Sequence, residues 1–254
     1  MVNICSIIDA DVTRYSEGLA AVLELAYRAD SNSAARKGLW VRVPPAVPDP
    51  SMRGIQCHAS PPDGVACADE RALGAPYAYL LGLYLGDGML SAGRRDVWKL
   101  RITLDAKYPG IVERGRRAIA DVSGRLAGGY ARPGCIEIYG YWKHWACLFP
   151  QHGAGPKHTR PIRLDSWQSA IVAAHPSEFL AGLIHSDGCR CLNRVKGYAY
   201  PRYFFSNLSA DIRGLFVWAC HLVGVECRPS NARNIAVSRR ASVEILDALV
   251  GPKA

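Results

Sequence analysis

The sequence predicts an α+β fold built twice, each copy running helix, two strands, helix, two strands and a closing helix. Three observations carry this. An apolar nonapeptide recurs, LLGLYLGDG at 80–88 and LAGLIHSDG at 180–188, so Asp87 and Asp187 stand 100 residues apart. The patterns that follow each copy come in the same order. Gly124 and Gly224 each lie 37 residues beyond the acid of their copy, at the close of a helical pattern. Agreement between local pattern and repeat spacing is what a duplicated domain leaves in a sequence.

Each nonapeptide is apolar nearly all round, so as a helix it must be buried against one of its own kind. Gly82 and Gly182 lack a Cβ and let two helix backbones approach closer than the usual interaxial distance of about 8–10 Å. Gly88 and Gly188 are expected to end the helices with a positive φ. Asp87 and Asp187 then occupy the last turns, where the helix dipole disfavours an acid. Paired side by side, the two carboxylates also repel each other. A cation is the expected compensation, and oxygen donors suit Mg²⁺, which commonly takes one or two carboxylates, waters and substrate phosphates.

Pro76 and Pro176 stand just before the motif helices, at first-turn positions that proline tolerates. In the first half a strand is expected at 97–104, with Asp105 as N-cap of a helix at 106–121. Strands at 126–131 and 134–140 and a helix near 142–149 complete it. In the second half the strand falls at 200–207, Ser209 caps a helix at 210–223, strands follow at 225–229 and 233–239, and a helix closes at 240–250.

The expected division is an N-terminal extension at 1–74, poorly ordered, then halves at 75–164 (with the linker) and 165–254. Within the extension, 9–30 is compatible with an amphipathic helix, followed by a Pro-rich stretch without periodicity. The run Trp40-Val41-Arg42-Val43-Pro44-Pro45 reads like an in-frame translation of a transfer-RNA T-arm, which would make Met52 the true start. The competing reading, a small DNA-binding helical module, has no helix-turn-helix pattern behind it.

Of the formal net charge of +9, residues 1–51 contribute −1 and the remaining residues +10. The surplus therefore belongs to the repeat-bearing part, and a polyanion such as DNA is the expected partner, because neutralising phosphates releases counterions. No apolar run reaches the roughly 18 residues of a membrane span, so a cytoplasmic protein, nucleoid-associated when bound to DNA, is expected. Nine cysteines show no regular framework; buried free thiols are favoured over zinc ligands for Cys57, Cys67, Cys189 and Cys191.

The doubled nonapeptide resembles the LAGLIDADG motif of homing endonucleases. The second copy keeps seven of its nine letters and the first keeps five. The resemblance covers about 76–250 and implies a free-standing monomer with pseudo-twofold symmetry, whose motif helices form the interface and whose two four-stranded sheets make a saddle for DNA. It implies Mg²⁺-dependent double-strand cleavage, as in intron homing by mobile elements, with Asp87 and Asp187 as catalytic metal ligands assisted by the carbonyls of Gly86 and Ser186. Lys99, Arg101 and Arg202 on strands, and Lys157 and Arg160 in the linker, are the expected DNA contacts. Lys143 or Arg239, after the last strand of each half, would be the basic group near the acids. His185 replaces the motif's first acid, and a packed or solvent-facing histidine is favoured over a general base. The rival readings are a non-catalytic DNA-binding regulator of the same fold and, more remotely, an RNA-binding maturase.

Overall fold

The computed structural model describes residues 70–251 and 253. The expectations for residues 1–69 lie outside the described residues. Helix α1 (Glu70–Asp87) opens the described chain and carries the first nonapeptide. It is broken at Gly74 (φ 39°, ψ −140°), so the straight part starts just before Pro76, which thereby sits in a first turn. The helical path starts ahead of the boundary expected at 75.

From there the chain runs β1 (Gly88–Ala92), β2 (Trp98–Asp105), α2 (Pro109–Ser123), β3 (Gly128–Arg132), β4 (Cys135–Trp142) and the short α3 (Trp145–Leu148). A linker leads to α4 (Ser166–Ala174) and to α5 (Pro176–Asp187), which carries the second nonapeptide. The second half repeats the order with β5 (Gly188–Val195), β6 (Tyr198–Ser206), α6 (Ala210–Leu222), β7 (Arg228–Pro229), β8 (Asn234–Val237) and α7 (Arg240–Leu249). The strands form two antiparallel four-stranded sheets, ordered β1-β2-β4-β3 and β5-β6-β8-β7. This is the duplicated α+β arrangement that the sequence predicts. None of the described helices is long and apolar enough to cross a membrane.

The register explains which face of each strand is buried. Along β2, Leu100, Ile102 and Leu104 point into the core, while Lys99, Arg101 and Thr103 lie on the other face. Helix α2 buries Ile111, Val112, Ala118, Ile119 and Val122 at helical spacing. At the centre α1 packs on α5, with Leu80, Leu81, Leu83, Leu180, Ala181 and Leu183 fully buried.

Three local expectations are corrected. Gly88 and Gly188 do not end the helices with a positive φ; Gly188 is extended at φ −102° and each opens a strand. Closeness requires glycine there: a Cβ at Gly88 would lie 2.5 Å from Tyr84 Cα, and one at Gly188 2.7 Å from Ile184 Cα. Asp105 is not an N-cap. Its Oδ1 accepts from the Lys107 amide at 2.9 Å and shapes a turn, and α2 starts only at Pro109. Helix α4 was not anticipated; Asp165 and Gln168 form a reciprocal capping box at its start. Ser209 does cap α6, accepting from the Ile212 amide at 3.4 Å.

Candidate functional site

The two nonapeptides meet because glycine removes what would separate them. A Cβ on Gly182 would lie 2.2 Å from the Tyr79 carbonyl oxygen and 2.9 Å from Gly82 Cα. A Cβ on Gly82 would lie 2.5 Å from the Phe179 carbonyl oxygen. The contact is backbone on backbone, so no side-chain rotation could relieve a clash. One turn further, Gly86 lies against Ser186: a Cβ there would sit 2.2 Å from Ser186 Oγ and 3.0 Å from Asp187 Oδ2. Ser186 Oγ is itself turned back, donating to the carbonyls of Gly182 and Leu183, both at 3.0 Å.

This geometry brings the end of one helix, with Asp87, against the acid that ends the other. Burial pushes the Asp87 carboxyl up to about 6, and the charge of Asp187 adds to the push, while Lys157 and Lys253 pull it back. Asp187 is likewise raised by burial, opposed by the Asn207 amide, which donates to Oδ2 at 2.6 Å, and by the same two lysines. Two acids are thus held together where neither ionises freely.

The basic groups at the acids are ones that sequence reasoning assigned elsewhere or missed. Lys157 Nζ donates to the carbonyls of Gly86 (3.1 Å) and Gly88 (2.6 Å), 5.0 Å from the centre of the Tyr84 ring. Burial lowers its pKa to about 8 against the opposing pull of Asp87 and Asp187. Lys253 Nζ donates to the His185 carbonyl at 3.2 Å and is also lowered by burial. A sequence signal for both exists: Gly-Pro-Lys occurs at 155–157 and again at 251–253, after each half. Gly155 and Gly251 take nearly the same positive φ, 75° and 74°. The nonapeptides are therefore not the only duplicated element of the site.

Arg160 serves the linker rather than an open surface. Its guanidinium donates to the carbonyls of Gln151 (3.1 Å), Ala154 (3.2 Å) and Gly155 (2.6 Å), which fixes the loop that delivers Lys157. The structure places neither Lys143 nor Arg239 beside the acids. Lys143 follows Trp142, which pairs with Trp98; Gly88 pairs with Ile102, four residues further along β2, about 13 Å at strand spacing. Lys143 instead rims a shallow cavity of about 360 Å³ with Val97, Arg125, Tyr141, Trp142 and His144. Arg239 is ion-paired with Glu226. His185 is a core histidine: Tyr79 OH lies 3.0 Å from Nδ1, and burial, with Arg114 and Lys253 adding, lowers its pKa to about 4.

The strand residues lie on the sheet faces opposite the core. Lys99 is set among three tyrosines, 4.3 Å from the Tyr139 ring centre, 5.6 Å from Tyr141 and 5.7 Å from Tyr130, and 3.7 Å from Glu137. Burial pushes the Glu137 carboxyl up, but Tyr130 OH at 2.5 Å, Arg132, Arg101 and Lys99 hold it below the usual range. Arg101 donates to Ser91 Oγ at 2.9 Å, and the Arg202 guanidinium lies 4.3 Å over Phe204. These cations are pre-oriented rather than freely swinging.

Could the acids hold a divalent cation? Among the described residues no cluster of three or more His, Cys, Asp or Glu forms a closed metal cage. Two carboxylates forced together, with backbone carbonyls beside them, fit a hard cation that completes its shell from water and phosphate. The Gly86 carbonyl, one of the expected helpers, is engaged by Lys157.

No protein-family profile and no curated protein matches the sequence. Among solved structures, the chain is similar to the homing endonuclease I-WcaI bound to its DNA recognition sequence (14% identity, 72% of this chain and 83% of that one, TM-score 0.46). It is similar to the N-terminal LAGLIDADG domain of DUF199/WhiA (10% identity, 74% and 87%, TM-score 0.44). A third is the LAGLIDADG meganuclease I-AabMI bound to uncleaved DNA (12% identity, 68% and 82%, TM-score 0.41).

Proposed function

We propose that the chain is a metal-dependent endonuclease acting on double-stranded DNA, with Asp87 and Asp187 serving one strand each. The observation that carries this reading is the convergence of one acid from each half at the buried end of a glycine-tight helix pair. A bound Mg²⁺ would supply an activated water and offset charge at the scissile phosphate. The chain's own residues do the rest. Asp87 and Asp187 hold the cation, and Asn207 fixes the orientation of Asp187 through its 2.6 Å hydrogen bond. Lys157 and Lys253 set two positive charges beside the acids, where a phosphate dianion-like transition state needs them. His185 takes no part as a base, because it is packed against Tyr79 inside the core.

Asp187→Asn, close to isosteric, removes one charge and keeps the amide contact partner. It should lower Mg²⁺-dependent cleavage of a selected target at least about a hundredfold, within the range of losing one transition-state electrostatic group, while DNA affinity changes little. Asp87→Asn should stop cutting of at least one strand. Undiminished cutting by both variants in a supercoiled-plasmid assay would remove the assignment.

A second reading has its own observation. The ammonium of Lys157 already satisfies the Gly86 and Gly88 carbonyls and helps balance both acids without a metal. That arrangement suits a DNA-binding regulator in which Lys157 and Lys253 offset the acids in place of a metal. Selection of bound rather than cleaved sites from a random duplex library separates the two: sites recovered only in the bound pool, with none in the cleaved pool, would favour the regulator.

A further inference from the structure

The two Gly-Pro-Lys segments are not used alike. Residues 86 and 186 are equivalent by the 100-residue repeat. Lys157 bonds the carbonyl of Gly86 itself and that of Gly88, bridging the turn around Asp87. Lys253 bonds the carbonyl of His185, one position before Ser186. The first half thus has an ammonium on the backbone oxygen adjacent to its acid, and the second does not. The position of Lys157 is also enforced. Arg160 ties the preceding loop through three carbonyls, Gly155 takes a positive φ, and Gln151 is anchored by Gln168 at 2.5 Å and by the Arg163 carbonyl at 2.7 Å. Tyr84 flanks the ammonium. A lysine set this firmly is built in, not a surface side chain that happens to reach inward.

We propose that Lys157 is a resident counter-ion that occupies the cation position of the first half, so that a divalent ion and the Lys157 ammonium compete for the Gly86 carbonyl and the paired acids. This rests on the reading of Asp87 and Asp187 as metal ligands. Two cations cannot share one set of oxygens at contact distance without strong repulsion. In the free protein the ammonium holds the site, the acids stay balanced and the helix pair stays closed. Divalent-ion binding then requires Lys157 to move aside, which the phosphates of a bound duplex would assist by offering the ammonium another partner. The chain is thereby a poor metal binder until DNA is seated, and the first half is gated more tightly than the second.

The test uses the full chain without DNA and Mn²⁺ as probe, with free ion counted by electron paramagnetic resonance. Lys157→Met keeps the aliphatic stem and removes the charge; it should bind Mn²⁺ about tenfold tighter than the parent, because a competing unit charge has gone. Lys253→Met should give a smaller gain. Adding Asp187→Asn to Lys157→Met should erase the gain. Lys157→Gln gives the same answer should the Met variant fail to fold. Equal affinities in the parent and the Lys157 variants, or a gain that survives Asp187→Asn, would overturn the inference. A clear gain in Mn²⁺ affinity together with no cleavage by any form would support it while removing the nuclease reading, so the two fail separately.

Discussion

His185 carries a pH signature at the scale of a single residue. Folded, its pKa is lowered to about 4, chiefly because burial excludes the charged form; unfolded, it should titrate near 6.5. Between those values the unfolded chain binds the proton that the folded chain refuses. Stability from this group is therefore complete above about pH 6.5 and lost as pH falls toward and through 4, on the order of 3 kcal/mol in all. Asp87 works the other way. Its folded pKa, raised to about 6, means that it ionises at a cost above that value and is relieved on acidification. The two slopes oppose each other, so the parent's profile alone would hide both. Denaturant unfolding of the parent and of His185→Gln from pH 4 to 7 isolates the histidine: the variant's stability should rise relative to the parent's as pH falls from 6.5 to 4. Parallel profiles would show that His185 takes up a proton in the fold.

At the scale of elements, the helix pair stands or falls on two glycines. Gly182→Ala would bring a methyl to 2.2 Å from the Tyr79 carbonyl oxygen, and Gly82→Ala to 2.5 Å from that of Phe179. Only separation of the helices relieves either contact, which loosens the fully buried leucines along the seam. Each substitution should destabilise by about 3 kcal/mol or more, above the usual overpacking cost, because backbone rather than side chains must give. The loss should also reach the acids, since Asp187 rides on the same helix. Thermal unfolding checks the first claim, and a reduced gain in Mn²⁺ affinity for Lys157→Met in the Gly82→Ala background checks the second. These glycines, and the two sheets, were legible because they obey local rules: an apolar run with a small residue, and alternation on strands. What was not legible obeys rules of approach or of long range. Gly88 and Gly188 read as helix-ending glycines, but the need is space beside Tyr84 and Ile184, which spacing alone does not reveal. Asp105 looked like a cap one turn too early because an Asx turn uses the same residue types. Helix α4 is signalled by Asp165-Ser-Trp-Gln168, a capping box in the stretch between the linker and the second nonapeptide, to which the sequence reading assigns no element. Lys157 and Lys253 reach the acids from segments 70 and 66 residues downstream, so only the repeated Gly-Pro-Lys could have pointed to them; Lys143 and Arg239 each follow a strand in the sequence, but the register carries Lys143 to the end of its sheet away from the acids, and Arg239 pairs with Glu226.

For the whole molecule, the balance of charge sets how it should meet a polyanion. Among the described residues five acids sit in ion pairs: buried Glu137 with Lys99 and Arg132, and, more exposed, Glu178 with Arg114, Asp247 with Arg190, Glu226 with Arg239 and Glu244 with Arg240. With a sequence surplus of nine positive charges, these pairings leave an excess that no internal carboxylate offsets. Binding of duplex DNA should then be driven substantially by counterion release, and log affinity should fall linearly with log salt at a slope steeper than about −4, as for neutralising roughly five phosphates. Lys99 and Arg202 separate positioning from recognition. Each is held over aromatic rings on a sheet face, so its direction is fixed before binding and little side-chain entropy remains to be lost. Lys99→Ala and Arg202→Ala should each make the slope shallower by about one if the side chain meets a phosphate. If it reads a base edge, the slope should hold while discrimination at one position of the site falls by about 1–3 kcal/mol. Fluorescence anisotropy with a selected duplex at several salt concentrations distinguishes these cases. A slope near zero for the parent would mean that the sheets face something other than a phosphate backbone, and would remove DNA as the partner regardless of what the two acids do.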